Sequence, residues 1–418
     1  MHLFQYRGNE LYAEDVPVRL LAEKYGTPLY IYSCNTLVRH FRAYDDAYGK
    51  FPHVICYALK ANTNGAILKL LAAQGSGADI VSGGELFRAL RAGIPSDKIV
   101  YAGVGKTDDE IRFALKSKVL MFNVESADEL REIDRVAGAM GVKAPIALRI
   151  NPDIDPRTHP YISTGMKEHK FGISIDQAVE HYRLASRLSH IRIVGVQKHI
   201  GSQITNIRPF VDAVKRILVL IDELKRQKIA VRYLDIGGGL GITYRSEKPP
   251  VPLDVAKRLL PLLYGRDLTL VMEPGRSIVG NAGILVTRTL YRKQGTGKTF
   301  VIVDAGMNDL MRPSLYDAYH HIQPVSKKKR VQIRADIVGP ICESGDFLAK
   351  GRRIAGVRRG EYLAVMSAGA YGMSMSSSYN SRPSAAEVMV NGKTHALVSM
   401  RGTYEDLVAR EVMPGFLK

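Results

Sequence analysis

Short apolar runs alternate with helix-like segments over the first two thirds of the chain. Segments such as GAILKLLAAQG and FVDAVKRILVLIDELKRQK repeat apolar residues every three or four positions, as one face of a helix does. The runs between them are rich in β-branched residues, which favour strands. The eight predicted strands span residues 54–59, 78–82, 98–103, 119–126, 146–152, 191–201, 233–239 and 268–275.

Two of the predicted helices begin with a capping box, in which a Ser or Thr and a Glu three residues later satisfy each other's backbone amides. The pairs are Thr107 with Glu110 and Ser126 with Glu129. Each pair predicts the residue at which its helix begins, because the first amides of a helix otherwise lack partners.

Eight strand–helix units predict an α/β fold, a (β/α)8 barrel of the TIM type. A doubly wound open sheet is the alternative, since the same alternation builds it. In an open sheet the polar residues gather mainly at one switch point, whereas here they follow the strands of many units. We therefore expect a closed barrel over residues 29–283. The polar stretch 153–172 predicts an inserted loop near the strand ends, where function concentrates.

The rhythm changes after about residue 283. TRTLYRK, TFVIVDAGM, VQIRADIVGP and EYLAVMSAGAYG are short strand-like runs without long helices between them. They predict a mainly β domain over residues 284–418. Residues 1–28, with FQYRGNELYAEDV, favour a hairpin that joins this β domain from the other end of the chain.

Composition narrows the classes of protein. The chain has 418 residues, 46% of them apolar, and three cysteines, Cys34, Cys56 and Cys342. Three cysteines do not make a disulfide framework, so we expect a reducing compartment and a cytoplasmic protein. No apolar run approaches the roughly 20 residues of a membrane span, and the first residues lack the pattern of a signal peptide. We therefore expect no membrane partner.

The formal charge of +18 raises the alternative of a nucleic-acid-binding protein. The lysines and arginines are, however, spread along the chain, and the one dense run, 327–330, is typical of a solvated loop. A basic surface also suits anionic small molecules. We therefore expect no nucleic-acid partner.

The ends of four predicted strands carry the candidate chemistry. Strand one ends in Lys60, strand six in His199 and strand eight in Glu273, and strand seven runs into Gly237-Gly238-Gly239. In a barrel these ends meet on one face. The glycine run suits a phosphate, because the backbone approaches the anion closely, although such a turn can also be only a tight bend. A phosphate beside a strand-end lysine predicts pyridoxal 5'-phosphate, whose aldehyde condenses with the amine.

Seven motifs give the chain a family resemblance. CYALKANTN, HIGSQ, GGGLGITY, EPGRSIVGNAG, RPSLY, CESGDFLAK and YGMSMSSSYNSRP, which extend over nearly the whole chain, closely resemble those of the diaminopimelate decarboxylases. That family belongs to the alanine-racemase-like, fold-type III pyridoxal-phosphate enzymes. The resemblance implies decarboxylation of meso-2,6-diaminopimelate to L-lysine and carbon dioxide, the last step of lysine biosynthesis. It also implies a homodimer whose active sites are shared across the interface.

The resemblance implies a role for each motif residue around the cofactor. Lys60 is similar to the lysine that holds the cofactor as a Schiff base, and Glu273 to the carboxylate that pairs with the pyridine nitrogen. Asp79 would support the ring or its histidine, with a helix-capping aspartate as the alternative. The remaining implied cofactor contacts are His199, Ser202, Gly238, Gly239, Gly275, Arg276 and Tyr371.

The resemblance also implies the proton donor and the substrate pocket. Cys342 is similar to the acid that returns a proton to the substrate, although a free cysteine is otherwise more often a small buried apolar residue. Arginine suits the distal carboxylate of the substrate because it binds carboxylates through two parallel hydrogen bonds. The implied substrate contacts are Arg276, Arg312, Tyr316, Glu343 and Tyr371, and no metal site is implied.

Two other readings stay open at this point. One is a different decarboxylase of the same fold, acting on ornithine, arginine or carboxynorspermidine. Such an enzyme should offer an acid to a distal ammonium, and the two arginines argue against it. The other is a pyridoxal-phosphate-binding protein without catalysis, which would have no use for the β domain and its CESGD motif.

Overall fold

The computed structural model describes residues 2–155 and 170–417. Most of the predicted loop at 153–172 therefore lies outside the described residues. The chain divides into two compact units, one formed by Val38–Ile278 and the other by Met1–Leu37 together with Val279–Lys418.

The chain begins with a small three-stranded sheet. It contains β1 (Phe4–Arg7), β2 (Glu10–Ala13) and β3 (Val16–Pro17), and is followed by α1 (Val18–Tyr25), β4 (Leu29–Ser33) and α2 (Cys34–Tyr48). β1 and β2 form an antiparallel hairpin. Glu10, at the start of β2, makes a β-bridge with Ser326, so the hairpin packs within the same unit as the C-terminal strands.

Eight parallel strands close into a barrel in the unit Val38–Ile278. Its wall pairs the strands in the order β9-β11-β12-β13-β5-β6-β7-β8, and β8 pairs in turn with β9, so that the sheet has no edge. The barrel is confirmed, every predicted strand lies in it, and the open sheet is excluded. The strands are β5 (His53–Ala58), β6 (Gly77–Ile80), β7 (Ile99–Tyr101), β8 (Met121–Val124), β9 (Ala144–Asn151), β11 (Ile191–Gln197), β12 (Tyr233–Asp235) and β13 (Thr269–Met272), while the short β10 (Ile173–Ser174) pairs with β9.

Helices follow the barrel strands and bury one apolar face each. The interior of the barrel contains the core side chains of Cys56, Val100, Met121, Ala147 and Val271. The described helices of this part of the chain are α3 (Gly65–Ala72), α4 (Gly83–Arg91), α5 (Asp108–Ser117), α6 (Ala127–Ala139), α7 (Ala178–Arg187), α8 (Arg208–Arg226), α9 (Pro252–Leu263) and α10 (Arg276–Val279).

The capping box at Thr107 is confirmed, because both reciprocal hydrogen bonds to Glu110 are present. The box at Ser126 is wrong in its second half. The Ser126 hydroxyl accepts the amide of Glu129, as predicted. The Glu129 carboxylate, however, accepts from the amide of Glu125 and, at 2.6 Å, from the buried ammonium of Lys106. The glutamate therefore neutralises a buried lysine instead of completing the cap.

The second unit is mainly β. Its large sheet runs in the order β18-β17-β15-β14-β4-β20-β21, with β19 paired to β14 and β16 to β19. The elements are β14 (Gly283–Gln294), β15 (Thr299–Val303), α11 (Arg312–Tyr316), β16 (Ile322–Pro324), β17 (Gln332–Val338), β18 (Phe347–Ala355), β19 (Tyr362–Val365), β20 (Ala386–Asn391), β21 (Thr394–Ser399) and α12 (Tyr404–Val408).

The unit boundaries follow from where β4 pairs. We predicted boundaries after residues 28 and 283, and the compact units divide after 37 and 278. All five residues of β4 are buried, and the strand lies between β14 and β20. An apolar strand that directly precedes the barrel in sequence is therefore a central strand of the β unit.

None of the described helices is long and apolar enough to cross a membrane.

Candidate active site

Lys60 lies where β5 ends and the chain enters a single 3₁₀ turn, Leu59–Ala61. Its ammonium donates to the Asp79 carboxylate on the neighbouring strand β6, at 2.7 Å. The Asp79 side chain is fully buried, whereas that of Lys60 is 38% exposed. Asp79 does not cap α4, because Ser82 does so, and that alternative is wrong. An anchored but accessible amine therefore lies at the mouth of the barrel.

Glu273 follows β13 directly and is buried among amide donors from other strands. The Asn123 amide on β8 donates to it at 3.1 Å and to Asp235 on β12 at 3.2 Å. The Gln197 amide on β11 donates to it at 3.3 Å. Burial, with the nearby carboxylates of Asp235 and Asp79, holds the pKa of Glu273 well above its usual range, against the opposing charge of Lys60. This carboxyl group therefore retains a proton readily.

Two further titratable groups surround Glu273. Burial raises the pKa of Asp235 to about 6, against its hydrogen bond from the Gly237 amide. Lys198, at the end of β11, is completely buried, with its ammonium over the Phe210 ring. Burial lowers the pKa of Lys198 to about 8, although Asp235 and Glu273 oppose this shift. Burial thus moves the pKa values of Asp235 and Lys198 toward neutrality from opposite sides.

The glycine run after β12 packs too tightly for any side chain. A Cβ on Gly238 would come within 2.2 Å of the Glu273 carbonyl oxygen, and one on Gly239 within 2.3 Å of the Gly201 carbonyl oxygen. Gly239 also has a φ of +104°, a conformation that L side chains rarely adopt. The run therefore brings backbone without side chains against the segments that follow β11 and β13, whether or not its amides bind a ligand.

His199 lies beside this glycine run. Its Nδ1 accepts the Gly238 amide at 3.3 Å, which leaves Nε2 as the nitrogen that carries the proton of the neutral ring. Desolvation, together with the positive charges of Arg149, Lys60 and Lys198, holds the pKa of His199 well below its usual range. A neutral, oriented imidazole therefore lies at the strand ends.

Arg276 opens α10 and is buried. Its Nη2 donates to the Ser202 hydroxyl at 3.0 Å and its Nη1 to the Tyr244 hydroxyl at 2.8 Å. Gly275 precedes it, and a Cβ there would lie 3.0 Å from that of Ala61, next to Lys60. The structure thus brings together the predicted residues of the HIGSQ, GGGLG and EPGR motifs.

The barrel mouth fits pyridoxal phosphate by its own chemistry. It presents an accessible amine, a buried carboxyl group whose pKa is raised, and a backbone cradle of glycines. On the barrel strands or directly after them, five buried polar atoms have no hydrogen-bond partner within the part of the chain that the structure describes: Asp79 Oδ1, Tyr101 Oη, Asn123 Oδ1, Gln197 Oε1 and Lys198 Nζ. Unsatisfied buried polar atoms are uncommon in proteins, and their clustering here suits a polar group that binds between the strands. Among residues 2–155 and 170–417, no three His, Cys, Asp or Glu side chains are placed to hold a metal ion.

The remaining predicted residues belong to the β unit. Cys342 and Glu343 are exposed on the loop before β18. Three contacts brace this loop. Asp346 accepts the Ile341 amide at 2.6 Å, Ser314 of α11 donates to the Gly345 carbonyl at 2.6 Å, and the Asn380 side chain accepts the Cys342 amide at 2.8 Å. The CESGD loop and the RPSLY helix therefore form one connected structure.

Arg312 begins α11 and is buried. Its Nη1 lies 2.8 Å from Nε2 of His320, another buried side chain. Tyr316 ends the same helix and is half-buried. Tyr371, also half-buried, has a φ of +56°, which is uncommon for a residue with an aromatic side chain.

Sequence comparison gives the family. A family model of the pyridoxal-dependent decarboxylases, their pyridoxal binding domain, matches residues 34–280. A diaminopimelate decarboxylase of Aquifex aeolicus is 54% identical, with 97% of this chain and 96% of that protein covered. One of Pseudomonas aeruginosa is 53% identical, with 98% and 99% covered. The chain belongs to the diaminopimelate decarboxylases.

A solved diaminopimelate decarboxylase supports the same family. The crystal structure of the Helicobacter pylori enzyme complexed with L-lysine has a TM-score of 0.91 and 43% identity, and the match covers 94% of this chain and 98% of that one. The fold-type III resemblance, the carboxy-lyase class and the pyridoxal cofactor that the motifs implied are thereby confirmed.

Several neighbours of the predicted residues, in each of the two units, could not be predicted from the sequence. Asn123 and Gln197 lie inside strands, where no local signal separates a residue that points into the barrel from one that points out. Asp235 lies two residues before the glycine run and could have been predicted from that position. His320 and Asn380 lie in irregular segments, and their contacts depend on residues distant in sequence.

Proposed function

We propose that this protein decarboxylates meso-2,6-diaminopimelate to L-lysine and carbon dioxide with pyridoxal 5'-phosphate, the last step of lysine biosynthesis. The observation that carries the proposal is Glu273. It is buried, burial and nearby carboxylates raise its pKa, and amides from two other strands hold it at the same mouth of the barrel as the Lys60–Asp79 pair. A protein that only stored the cofactor would have no need of a buried carboxyl group positioned there.

Pyridoxal phosphate supplies an aldehyde that bonds to amines and a ring that accepts the electron pair released when a bond to Cα breaks. Lys60 would bind it through its amine, and Asp79 keeps that amine at the strand end. Glu273 would hold the proton of the ring nitrogen, which makes the ring a better acceptor. His199 would lie against the face of the ring, and its neutral state avoids placing a second cation there.

The phosphate would lie at the glycine run. Gly238, Gly239 and Gly275 would approach it with backbone only, and Ser202 and the start of α10 at Arg276 would supply further donors. Since Arg276 also bonds Ser202 and Tyr244 in the structure, it would link the phosphate end of the pocket to the substrate. Tyr371 would contact cofactor and substrate.

The proton on Cα would come from Cys342, and the distal end of the substrate would be recognised by charge. Arg312 and Arg276 would bind the distal carboxylate, Glu343 the distal ammonium, and Tyr316 would complete the pocket. Cys342 and Glu343 are exposed, which supports the proposal that they contact a substrate bound outside their own loop.

The functional unit we propose is a homodimer with shared active sites. Large apolar side chains are exposed along the C-terminal segment, and an exposed apolar stretch of this extent is typical of an interface. They are Leu397, Met400, Tyr404, Val408, Val412, Met413, Phe416 and Leu417. We also propose a cytoplasmic location, which the three free thiols support.

The Lys60→Ala variant tests the function. We expect it to lose both the visible absorbance of bound cofactor and the release of carbon dioxide from meso-diaminopimelate, because Lys60 supplies the amine that Asp79 holds at the end of β5. Absorbance spectra and a carbon dioxide assay measure these losses. Lys69→Ala is the control, since Lys69 is exposed on α3, and it should behave as the wild type.

Two results would contradict the proposal. A Lys60→Ala protein that still releases carbon dioxide at the wild-type rate removes the lysine from the reaction. A wild-type protein that turns over ornithine faster than meso-diaminopimelate assigns the site to a different amino acid.

A further inference from the structure

His320 connects the start of α11 to the main chain of the neighbouring β-strand region. Its side chain is fully buried. Nδ1 lies 2.8 Å from the Met366 carbonyl oxygen, and Nε2 lies 2.8 Å from Nη1 of Arg312. The two ring nitrogens therefore contact partners of opposite character, which determines how the ring is protonated.

The partners permit one state of the imidazole. A carbonyl oxygen only accepts, so Nδ1 must donate to Met366. An arginine nitrogen only donates, so Nε2 must accept from Arg312. His320 is thus neutral with its proton on Nδ1. A second arginine, Arg352, donates to the His320 carbonyl at 2.8 Å and holds the backbone of the same residue.

We propose that His320 is a positioning residue for recognition of the substrate's distal carboxylate, acting through Arg312. The inference rests on the proposed function, in which Arg312 binds that carboxylate. A guanidinium is planar, so one hydrogen bond to Nη1 restricts the direction in which its other N–H groups point. Carboxylate binding by arginine requires two parallel hydrogen bonds, and it is therefore sensitive to that direction.

A purely structural role for His320 makes a different prediction. If the ring only satisfied buried polar groups, its replacement would lower stability and affect all ligands alike. A positioning role instead concerns ligands that carry the distal carboxylate. L-lysine, the product of the proposed reaction, retains that carboxylate, and cadaverine is the same molecule without it. The two amines form a matched pair of probes.

The experiment uses two polar variants of the holoenzyme. The amide of His320→Asn can still donate to Met366 but does not reach Arg312. The amide of His320→Gln places an acceptor near the position of Nε2. For His320→Asn we expect about a tenfold rise in the KM for meso-diaminopimelate and in the inhibition constant of L-lysine, the loss typical of a hydrogen bond to a charged group. We expect kcat and the inhibition constant of cadaverine to change by less than about twofold.

His320→Gln should return both carboxylate-dependent constants toward the wild-type values. The proposal is overturned if His320→Asn leaves the L-lysine constant unchanged, if cadaverine weakens equally, or if His320→Gln is as impaired as His320→Asn. These outcomes are distinct from a failure of the proposed function, because that failure would appear as a wild-type protein inactive on meso-diaminopimelate.

Discussion

Glu273 lies where a carboxylate is costly, because it is buried and two further carboxyl groups, Asp235 and Asp79, lie nearby. Burying an isolated charge is unfavourable, and a carboxyl group in such a place retains its proton. For the proposed chemistry this cost is useful. The amides of Asn123 and Gln197 donate to the carboxyl group and fix its position, so that Glu273 would be placed to share a proton with the cofactor's ring nitrogen.

The Glu273→Gln variant should keep the cofactor and lose turnover. Glutamine has nearly the same shape but no ionisable group that could share a proton with the ring nitrogen, so we expect kcat to fall by about a hundredfold or more. Steady-state kinetics and the visible spectrum measure the two properties. Glu180→Gln, at an exposed position of α7, is the matched control. A Glu273→Gln enzyme with full cofactor and kcat within threefold of its control would show that the proton is not needed.

The sequence could predict those site residues that follow directly after strands. Lys60 and Glu273 do so, and in a barrel all such positions lie on one face. It could not predict Asn123 or Gln197, because which strand residues point inward depends on the register between strands. Nor could it predict that Lys198, next to His199, would be buried with its ammonium over an aromatic ring.

The loop 341–346 shows how an irregular element is held in place. It has no regular backbone ladder, and side chains from elsewhere add to the hydrogen bonds that the loop forms within itself. Asn380 is one of these, and both it and Ser381 have positive φ, at 54° and 53°. Asparagine tolerates this conformation better than most residues. The uncommon backbone thus brings the Asn380 amide oxygen to the Cys342 N–H.

The Asn380 contact predicts a pair of variants with different outcomes. Asn380→Gly keeps the backbone conformation and removes the acceptor, so we expect kcat to fall by about tenfold as Cys342 loses its fixed position. Asn380→Asp keeps an acceptor oxygen and should retain most of the activity. Steady-state kinetics and the rate of thiol alkylation at Cys342 measure the effect. Equal activity of the Gly and Asp variants would exclude a role for the hydrogen bond.

The helices and strands of the barrel could be predicted because their apolar periodicity is long and regular. The prediction of the second capping box was wrong because Glu129 pairs with Lys106, a buried cation distant from it in sequence. β4 also escaped the prediction. Its sequence, LYIYS, indicates a buried strand but not the sheet to which that strand belongs. Only its pairing with β14 and β20 assigns it to the β unit.

At the scale of the whole molecule, the formal charge of +18 does not produce a patch of unpaired basic side chains at the Lys/Arg run 327–330. Lys328 and Arg330 both pair with Glu361. These partners lower the pKa of Glu361 to about 2, although partial burial opposes the shift. Lys327 lies over the Tyr6 ring. Three of the four basic residues of the run therefore make contacts within the β unit.

The exposed C-terminal segment predicts the oligomeric state. In the double variant Val412→Ser, Phe416→Ser, two side chains that are 87% and 86% exposed become polar. Loss of this apolar area should raise the dimer dissociation constant by about tenfold or more. Sedimentation velocity over a range of concentrations measures it. Val331→Ser, 84% exposed elsewhere in the same unit, is the control. A wild-type protein that is monomeric and fully active would contradict the shared site.

The central position of β4 has a consequence for the newly made chain. Both of its neighbours, β14 and β20, follow the entire barrel in sequence. At roughly 5–20 residues per second, the ribosome takes on the order of tens of seconds to travel from β4 to β20. Until β14 is made, both edges of this mostly apolar strand are open, and one edge stays open until β20 follows, while the barrel strands can already close among themselves. The nascent protein thus exposes an unpaired strand edge near its N-terminus until its C-terminal strands have been made. A chaperone that covers this edge would be most useful in that interval.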